Sequence, residues 1–222
     1  MKLTLLPHQR LWFTSDTHYN HSNICRGTSN WPADSKTRDF DTLDKMNAAM
    51  INNINHVVGE DDILFHLGDW SFGGFENIQE FRDRIVCKNI HLVLGNHDHH
   101  IERNKGDIQK LFASVTEYVR LEVTEPNVPT ELHPEKTLKK TFVLCHYPIA
   151  SWHDMNKGVI QLHGHVHLGP QNKLHEGRAM DVGMDGNSME PYSLQEISKI
   201  MKNRPVKCLV LPNDHHETNE SQ

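Results

Sequence analysis

The sequence has few cysteines and no long apolar runs. Its 222 residues include four cysteines, Cys25, Cys87, Cys145 and Cys208, and no two of them form a C-x-x-C pair. This spacing indicates free thiols in a reducing compartment. No apolar segment approaches the roughly 20 residues that a membrane helix requires, and the apolar stretch at the start of the chain is too short for a signal peptide. We therefore expect a cytoplasmic protein with no membrane partner.

An excess of positive charge is also absent. The chain carries 23 lysines and arginines against 29 aspartates and glutamates, which gives a net charge of −6 with histidine neutral. Proteins that bind long nucleic acid usually present a basic surface, so we expect no stable complex of that kind. The abundant residue is histidine, at 18 of 222 positions. Because imidazole binds metals and transfers protons near neutral pH, this excess directs attention to metal and acid–base chemistry.

Apolar strands alternate with helical patterns along the chain, which favours an α/β fold. In the first half we predict strands at 11–15, 63–67 and 90–94 and helices at 40–58 and 78–86. In the second half we predict strands at 115–123, 141–145, 159–162, 179–182 and 206–211, and a helix at 193–201. The strands at 115–123 and 141–145 suit a hairpin. We assign residues 1–212 to a single domain and the polar residues 213–222 to a disordered tail.

Clusters of Asp, Asn, His and Gly follow five of these strands. They are Asp16-x-His18, Gly68-Asp69, Gly95-Asn96-His97-Asp98, His146, and Gly164-His165-x-His167. In open α/β sheets, ligands collect beyond the carboxyl ends of the strands. Neighbouring glycines let the backbone turn sharply and let a ligand come close. The five clusters can therefore converge on one site.

The residue types in these clusters are those of a binuclear metal centre. Asp16 and His18, like His165 and His167, are two positions apart, so on an extended segment their side chains point the same way. Carboxylate, imidazole and amide ligands without thiolate suit divalent Mn, Fe, Co or Zn. A carboxylate can bridge two ions, and the isolated Asp69 is the candidate. For any one residue a turn hydrogen bond is the simpler explanation, so the metal hypothesis depends on the joint set.

In this order the five motifs resemble those of the calcineurin-like metallophosphoesterases, and they extend from position 16 to position 167. Residues 12–18 and 146–152 are similar to a small subgroup found in bacteria and their phages. The resemblance implies a four-layer α/β/β/α sandwich, in which two mixed β-sheets are flanked by helices. It also implies that the metals lie at the strand ends.

The resemblance implies two divalent ions, with Mn expected first and Fe, Zn, Co or Ni left open. The first ion would take Asp16, His18, Asp69 and His167, and the second would take Asp69, Asn96, His146 and His165. His97 matches the family's non-ligand histidine, which contacts the phosphoryl group and assists the leaving oxygen. Asp98 matches the adjacent acidic residue, which would orient or charge that imidazole.

Substrate contacts are expected from four residues: Asn96, His97, His21 and Trp152. For His21 a surface turn is the alternative, and for Trp152 the alternative is core packing. His66 and His163 lie on strands, one register position from motif residues. We predict that both are core histidines or partners of the ligands.

The implied reaction is hydrolysis of a small phosphate ester by in-line attack of a metal-bridging hydroxide, with His97 assisting the leaving group. The acidic net charge and the lack of a basic accessory domain favour a small substrate, and we expect a phosphodiester such as a nucleotide or cyclic nucleotide. A phosphomonoesterase, a protein phosphatase and a non-catalytic binding scaffold are the alternatives. The oligomeric state is not predicted.

Overall fold

The structure is a computed structural model that describes residues 1–125, 138–169, 172–174 and 176–206. Within these ranges ten strands and four α-helices are present, and the strands form two five-stranded sheets. Three predicted features lie outside the described residues: the hairpin tip, the strand at 206–211 apart from its first residue, and the tail at 213–222.

The first sheet, which we call the β2 sheet, has the strand order β10-β2-β3-β4-β5. Its strands are Leu11–Thr14 (β2), Ile63–His66 (β3), Asn89–Val93 (β4), Ser114–Thr116 (β5) and Tyr192–Ser193 (β10). Strands β2 to β5 are parallel, and β10 is antiparallel to β2. All residues of β2 and β3 are buried, which explains why these strands are continuous apolar runs rather than alternating patterns.

The second sheet, the β7 sheet, has the order β1-β6-β7-β8-β9. Its strands are Lys2–Thr4 (β1), Tyr118–Glu125 (β6), Leu138–Cys145 (β7), Ile160–His163 (β8) and Ala179–Asp181 (β9). Strands β6 and β7 form the predicted antiparallel hairpin, while β7, β8 and β9 are parallel. Both sheets are therefore mixed.

Four α-helices accompany the sheets: Leu43–Val57 (α1), Phe75–Arg84 (α2), His99–Arg103 (α3) and Leu194–Lys202 (α4). The helix predicted at 40–58 begins later because the Thr42 hydroxyl caps it, accepting the Lys45 backbone N–H. Helix α4 begins with a capping box between Ser193 and Glu196. Among the described residues, no helix is both long and apolar enough to cross a membrane.

The core lies in layers on either side of the β2 sheet. Trp12 and Leu64 face outward and pack with Met50 of α1, in the same cluster as apolar residues of α2. Between the sheets, the Phe13 ring lies 5.4 Å from the Phe142 ring of the β7 sheet. Two mixed sheets with flanking helices confirm the predicted fold class.

The single strand predicted at 115–123 was wrong. Strand β5 ends at Thr116 and pairs with β4, whereas β6 begins at Tyr118 and pairs with β1 and β7 of the other sheet. Glu117 is therefore the point at which the chain passes from one sheet to the other. The alternating pattern continues across this point, because each short segment is half-buried in its own sheet.

Candidate metal centre

The five motifs meet at the carboxyl ends of β2, β3, β4, β7 and β8. Each strand ends at most three residues before its first proposed ligand, so short turns carry the polar side chains. The turns are hydrogen-bonded to each other: the backbone N–H of Asp16 donates to Gly68 O at 2.9 Å, and that of His18 donates to Asp69 O at 2.9 Å. This edge, where the two sheets come together, holds all seven predicted ligands.

Three of the ligands form a group that we call the His18 half: Asp16, His18 and His167. The Nε2 atoms of His18 and His167 are 3.2 Å apart, and they lie 3.9 and 3.6 Å from Asp16 Oδ1. Asp16 and His18 are buried. This group contains three of the four ligands predicted for the first ion, and the fourth is Asp69.

Three others form the His146 half: Asn96, His146 and His165. Asn96 Oδ1 lies 3.1 Å from His146 Nε2 and 2.9 Å from His165 Nδ1. His146 is buried, and its Nδ1 contacts Leu67 O at 2.7 Å, which orients the ring. Asn96 and His165 are exposed.

Asp69 joins the two halves. Its Oδ2 lies 3.5 Å from His18 Nε2 and also 3.5 Å from His146 Nε2, while its Oδ1 accepts the backbone N–H of His97 at 2.9 Å. The carboxylate thus stands between two sets of ligand atoms, which is the position that a bridging ligand requires.

The spacing of these atoms fits metal ions. Bonds of about 2.0–2.2 Å to N and O ligands place neighbouring ligand atoms roughly 3.0–3.6 Å apart. Most of the distances within the two halves lie close to that range. Carboxylate and imidazole atoms also satisfy the geometry of two possible cation sites, one of Asp16, His18 and His167 and one of Asp16, Asp69 and His146. Asp16 reaches both.

Backbone strain is concentrated at the same residues. Five of the seven predicted ligands have positive φ angles: Asp16 (55°), His18 (48°), Asp69 (58°), His165 (73°) and His167 (48°). A non-glycine residue in this region costs of order 1–3 kcal/mol when the surroundings impose it. The fold thus holds these residues in unfavourable backbone conformations, which is typical of functional sites.

One motif glycine is required by close approach as well as by conformation. Gly68 has a φ of 98°, and a Cβ there would lie 2.6 Å from both Gly95 N and His146 Nδ1. Any side chain at this position would push two of the motif turns apart.

Burial leaves the Asp16 carboxylate short of compensating positive charge. Burial raises the pKa of Asp16 to about 7, although the neighbouring His167 opposes this shift. Burial also lowers the pKa of His18 well below its usual value. In addition, His18 Nδ1 is buried without a hydrogen-bond partner. An anionic Asp16 carboxylate beside a neutral His18 imidazole is stabilised by a divalent cation, so the donor set fits the ions that the motifs predict.

Comparison with known proteins agrees with this geometry. The sequence profile described as calcineurin-like phosphoesterase matches residues 9–195. The chain belongs to this family. Membership makes it a metal-dependent phosphoesterase, a hydrolase whose site holds divalent ions in a binuclear centre.

Relatives of this phosphoesterase come from archaea and phages. "Uncharacterized protein MJ1445" of Methanocaldococcus jannaschii is 26% identical over 207 residues, which cover 89% of this chain and 94% of that protein. "Gene 66 protein" of Mycobacterium phage L5 is 27% identical over 192 residues, covering 78% and 86%. The phage relative agrees with the predicted similarity to the small phage-type subgroup.

A solved structure shares the fold of this phosphoesterase. The protein of unknown function AQ665 from Aquifex aeolicus superposes with a TM-score of 0.59 at 20% identity. The match covers 87% of this chain and 100% of that one. At this identity the likeness supports the fold alone.

Sequence reasoning missed two residues of the phosphoesterase site, Arg38 and Asp185. Asp185 Oδ2 lies 2.6 Å from His167 Nδ1, and Arg38 Nε donates to the same carboxylate at 2.9 Å. The Arg38 guanidinium also donates to the backbone carbonyls of Asp16 at 2.6 Å and Thr17 at 2.8 Å. A carboxylate behind a ligand histidine fixes the ring orientation and raises its basicity.

The charges of this group reinforce each other. Burial raises the pKa of Asp185, but the His167 hydrogen bond and the Arg38 charge outweigh it and hold the pKa well below its usual value. Burial lowers the pKa of His167, but Asp185 and Asp16 outweigh it and raise the value. A signal for Asp185 existed, because Val182-Gly183-Met184-Asp185 follows a strand as the other motifs do. We find no comparable signal for Arg38.

The predicted role of Asp98 was wrong in its detail. Its carboxylate accepts three backbone N–H groups, from Asp69 at 2.8 Å, Trp70 at 2.9 Å and Gly95 at 2.8 Å. Within the described residues, no hydrogen bond joins it to the His97 ring. Asp98 therefore ties the Asp69 turn to the Gly95 turn and does not orient His97 directly.

The structure places the predicted substrate-contacting residues differently. The half-buried His97 ring lies 5.1 Å from that of His18, and His21 lies 5.4 Å from His18. Trp152, in contrast, packs in a separate core cluster with Val143, and its Nε1–H donates to Val159 O at 2.9 Å. Placing Trp152 in a substrate wall was wrong, because core packing uses its ring and its N–H.

The two strand histidines are buried, as predicted. His66 Nε2 contacts the Thr17 hydroxyl at 2.8 Å, and His163 Nδ1 lies 3.0 Å from Gly164 O. Each ring thus contacts a residue that lies within a motif. His99 and His100 open helix α3 next to the third motif, where His99 is exposed.

Proposed function

We propose that this phosphoesterase hydrolyses a small phosphodiester, such as a nucleotide or cyclic nucleotide, with two ions, Mn²⁺ in the first instance. The observation that supports the two-ion site most directly is the position of Asp69, with one carboxylate oxygen 3.5 Å from His18 and from His146. The seven residues named above would hold the ions. When bound, two such ions activate water and neutralise the charge that builds up on the phosphoryl group.

The proposed roles of the remaining residues follow from their contacts. His97 is anchored through its backbone N–H on Asp69 and leaves its ring nitrogens to the site, where a protonated ring donates to the departing oxygen. Asn96 turns its Oδ1 toward His146 and His165. Its amide N–H groups are then available to a phosphate oxygen. Both residues lie on the one turn that Asp98 ties to the Asp69 turn.

A small substrate is supported by charge and by space. The net charge of −6 disfavours a polyanion. A cavity of about 730 Å³ reaches the site beside His18, His97 and His167. This volume lies within the range of roughly 300–1,000 Å³ that is typical of small-molecule sites.

The test is turnover by purified protein. With Mn²⁺ we expect hydrolysis of bis-p-nitrophenyl phosphate to exceed that of p-nitrophenyl phosphate, and we expect turnover of at least one compound in a nucleotide and cyclic-nucleotide panel. Protein treated with chelator is the control and should be inactive. A higher rate on the monoester would favour the phosphomonoesterase alternative, and no turnover on any compound would contradict the proposal.

The metal content separates an enzyme from a binding scaffold. We expect two ions per chain after Mn²⁺ loading and dialysis. A protein that binds no ion and turns over nothing would instead favour the scaffold alternative.

A further inference from the structure

The cavity beside the metal centre is lined by residues of the His18 half and not by the predicted ligands of the His146 half. His18, His97 and His167 line it, and Ile24, Trp31 and Thr37 contribute from the segment before helix α1. None of Asn96, His146 and His165 is among its lining residues. Any part of a substrate that extends from the phosphate into this cavity therefore lies over the His18 half.

Two aromatic rings, those of His21 and Trp31, line this cavity, and a third ring, that of Phe72, packs on His21. His21 stacks on Phe72 with ring centroids 4.1 Å apart and an interplanar angle of 9°. Trp31 meets His21 edge-on, at 5.8 Å and 89°. Trp31 and Phe72 are 43% and 42% exposed, so these large rings are not buried in a core. Exposed aromatic side chains grouped beside a polar site are typical of ligand-binding surfaces.

We infer that this cavity binds the nucleobase of a nucleotide substrate, which stacks against Trp31 and His21, with Phe72 supporting the His21 ring. The inference rests on the proposed function and narrows its substrate class. Every base presents a flat π-face to an aromatic side chain, and such stacking binds bases with little sequence preference. The volume of about 730 Å³ exceeds what a simple phenyl group fills.

The polar side chains of the cavity suit the edges of a base. Lys36 and Thr37 line the cavity together with Trp31. Asn172, from a distant part of the sequence, also lines it. These groups supply donors and acceptors for ring nitrogens and exocyclic groups. A heterocycle can hydrogen-bond to these groups whereas a plain hydrocarbon ring cannot, which favours a heterocycle as the occupant.

Binding of paired ligands tests the inference without requiring turnover. The ligands are adenosine 5′-monophosphate and ribose 5-phosphate, which share the phosphate and the sugar, and calorimetry is done on Mn²⁺-loaded His97→Ala protein so that hydrolysis does not consume them. We expect the nucleotide to bind about tenfold or more tightly than the sugar phosphate. Adding Trp31→Leu should remove most of this ratio, and Phe72→Leu, which removes the ring stacked on His21, should lower the ratio as well.

Phe75→Leu is the matched control, because Phe75 is 47% exposed, does not line the cavity, and contacts His100, which does not line it either. It should leave the ratio of the two affinities unchanged, and thermal melts confirm that each variant folds. Equal binding of the two ligands, or an unchanged ratio in both Trp31→Leu and Phe72→Leu, would overturn the inference.

A third ligand separates a base site from a general aryl site. If phenyl phosphate binds as tightly as the nucleotide, the cavity takes any flat ring and the assignment to a nucleobase is wrong. The proposed function is judged separately, from turnover by protein with His97 intact. An inactive protein that still prefers the nucleotide would contradict the proposed function and keep the base site.

Discussion

The two halves of the metal centre are built differently, although Asp69 connects them. In the His18 half, Asp16 and His18 are buried, and the ion pair of Arg38 and Asp185 supports His167 from behind. In the His146 half, His146 is buried but Asn96 and His165 are exposed, and these two contact each other. Ligands that are preorganised by buried partners lose less freedom on binding an ion. We therefore expect the His18 half to hold its ion more tightly.

The largest effect is expected from Asp69→Asn, which removes the carboxylate common to both halves. Its Oδ2 lies 3.5 Å from a histidine of each half, so both ions lose a charged ligand. We expect kcat/KM to fall by at least roughly a thousandfold, because the ions supply several kcal/mol of charge stabilisation. Bound metal should also fall below two ions per chain, measured by mass spectrometry of the metal content.

Asp61→Asn is the matched control, since Asp61 is exposed and outside the site. It should leave both measurements unchanged. If Asp69→Asn retained two ions and normal activity, the bridging role would be refuted.

His97→Ala tests a residue that belongs to neither half. It should keep both ions and lose about 10²–10⁴-fold in kcat, because only proton donation to the leaving oxygen is removed. The measurements are steady-state kinetics and metal content, with the exposed His56→Ala as control. Loss of metal in His97→Ala would show that His97 is a ligand.

Asp185→Asn tests the support behind the His18 half alone. His167 loses a carboxylate at 2.6 Å, and the loss of such a partner typically costs about 10–100-fold in metal affinity. In a calorimetric Mn²⁺ titration, we expect one of the two binding events to weaken by that factor. Asp107→Asn, at an exposed surface position, serves as the control. Equal weakening of both events would contradict the difference between the halves.

The smallest effect is expected from His66, whose ring contacts Thr17 of the first motif. Burial lowers the pKa of His66 to about 3, and its Nδ1 has no hydrogen-bond partner. Because the folded value lies below the unfolded value of about 6.5, the unfolded chain binds the extra proton, and stability falls as the pH drops below 6.5. Between pH 7 and pH 5 this contributes a loss of about 2 kcal/mol.

His66→Gln should remove that contribution from the pH dependence. Urea unfolding at pH 7 and pH 5 measures it, and the difference between the two pH values should be about 2 kcal/mol smaller in the variant than in the wild-type chain. His56→Gln, on the exposed side of helix α1, should leave the difference as it is. An identical pH dependence in His66→Gln would mean that folding does not lower the pKa of His66.

Local patterns carried most of what could be predicted about the fold. Helix α1 follows from apolar residues spaced by three and four, and its start is set by Thr42, a neighbour in the chain. The passage between sheets at Glu117 was not predictable, because two half-buried strands give one continuous alternation. The position of Trp152 was not predictable either, because an aromatic residue near a motif suits both a substrate-binding wall and core packing.

The sequence by itself determined the chemistry of the site: which strand ends carry Asp, Asn and His, and in which order. These features are local, so the hydrophobic pattern and the adjacent polar cluster suffice to identify them. Only the tertiary structure decided that Arg38 and Asp185, 147 positions apart, pair behind His167, and that Asp98 joins two turns. It also decided which half is buried and where the cavity opens. Such features depend on the direction in which side chains from distant segments point, and no local spacing records that direction.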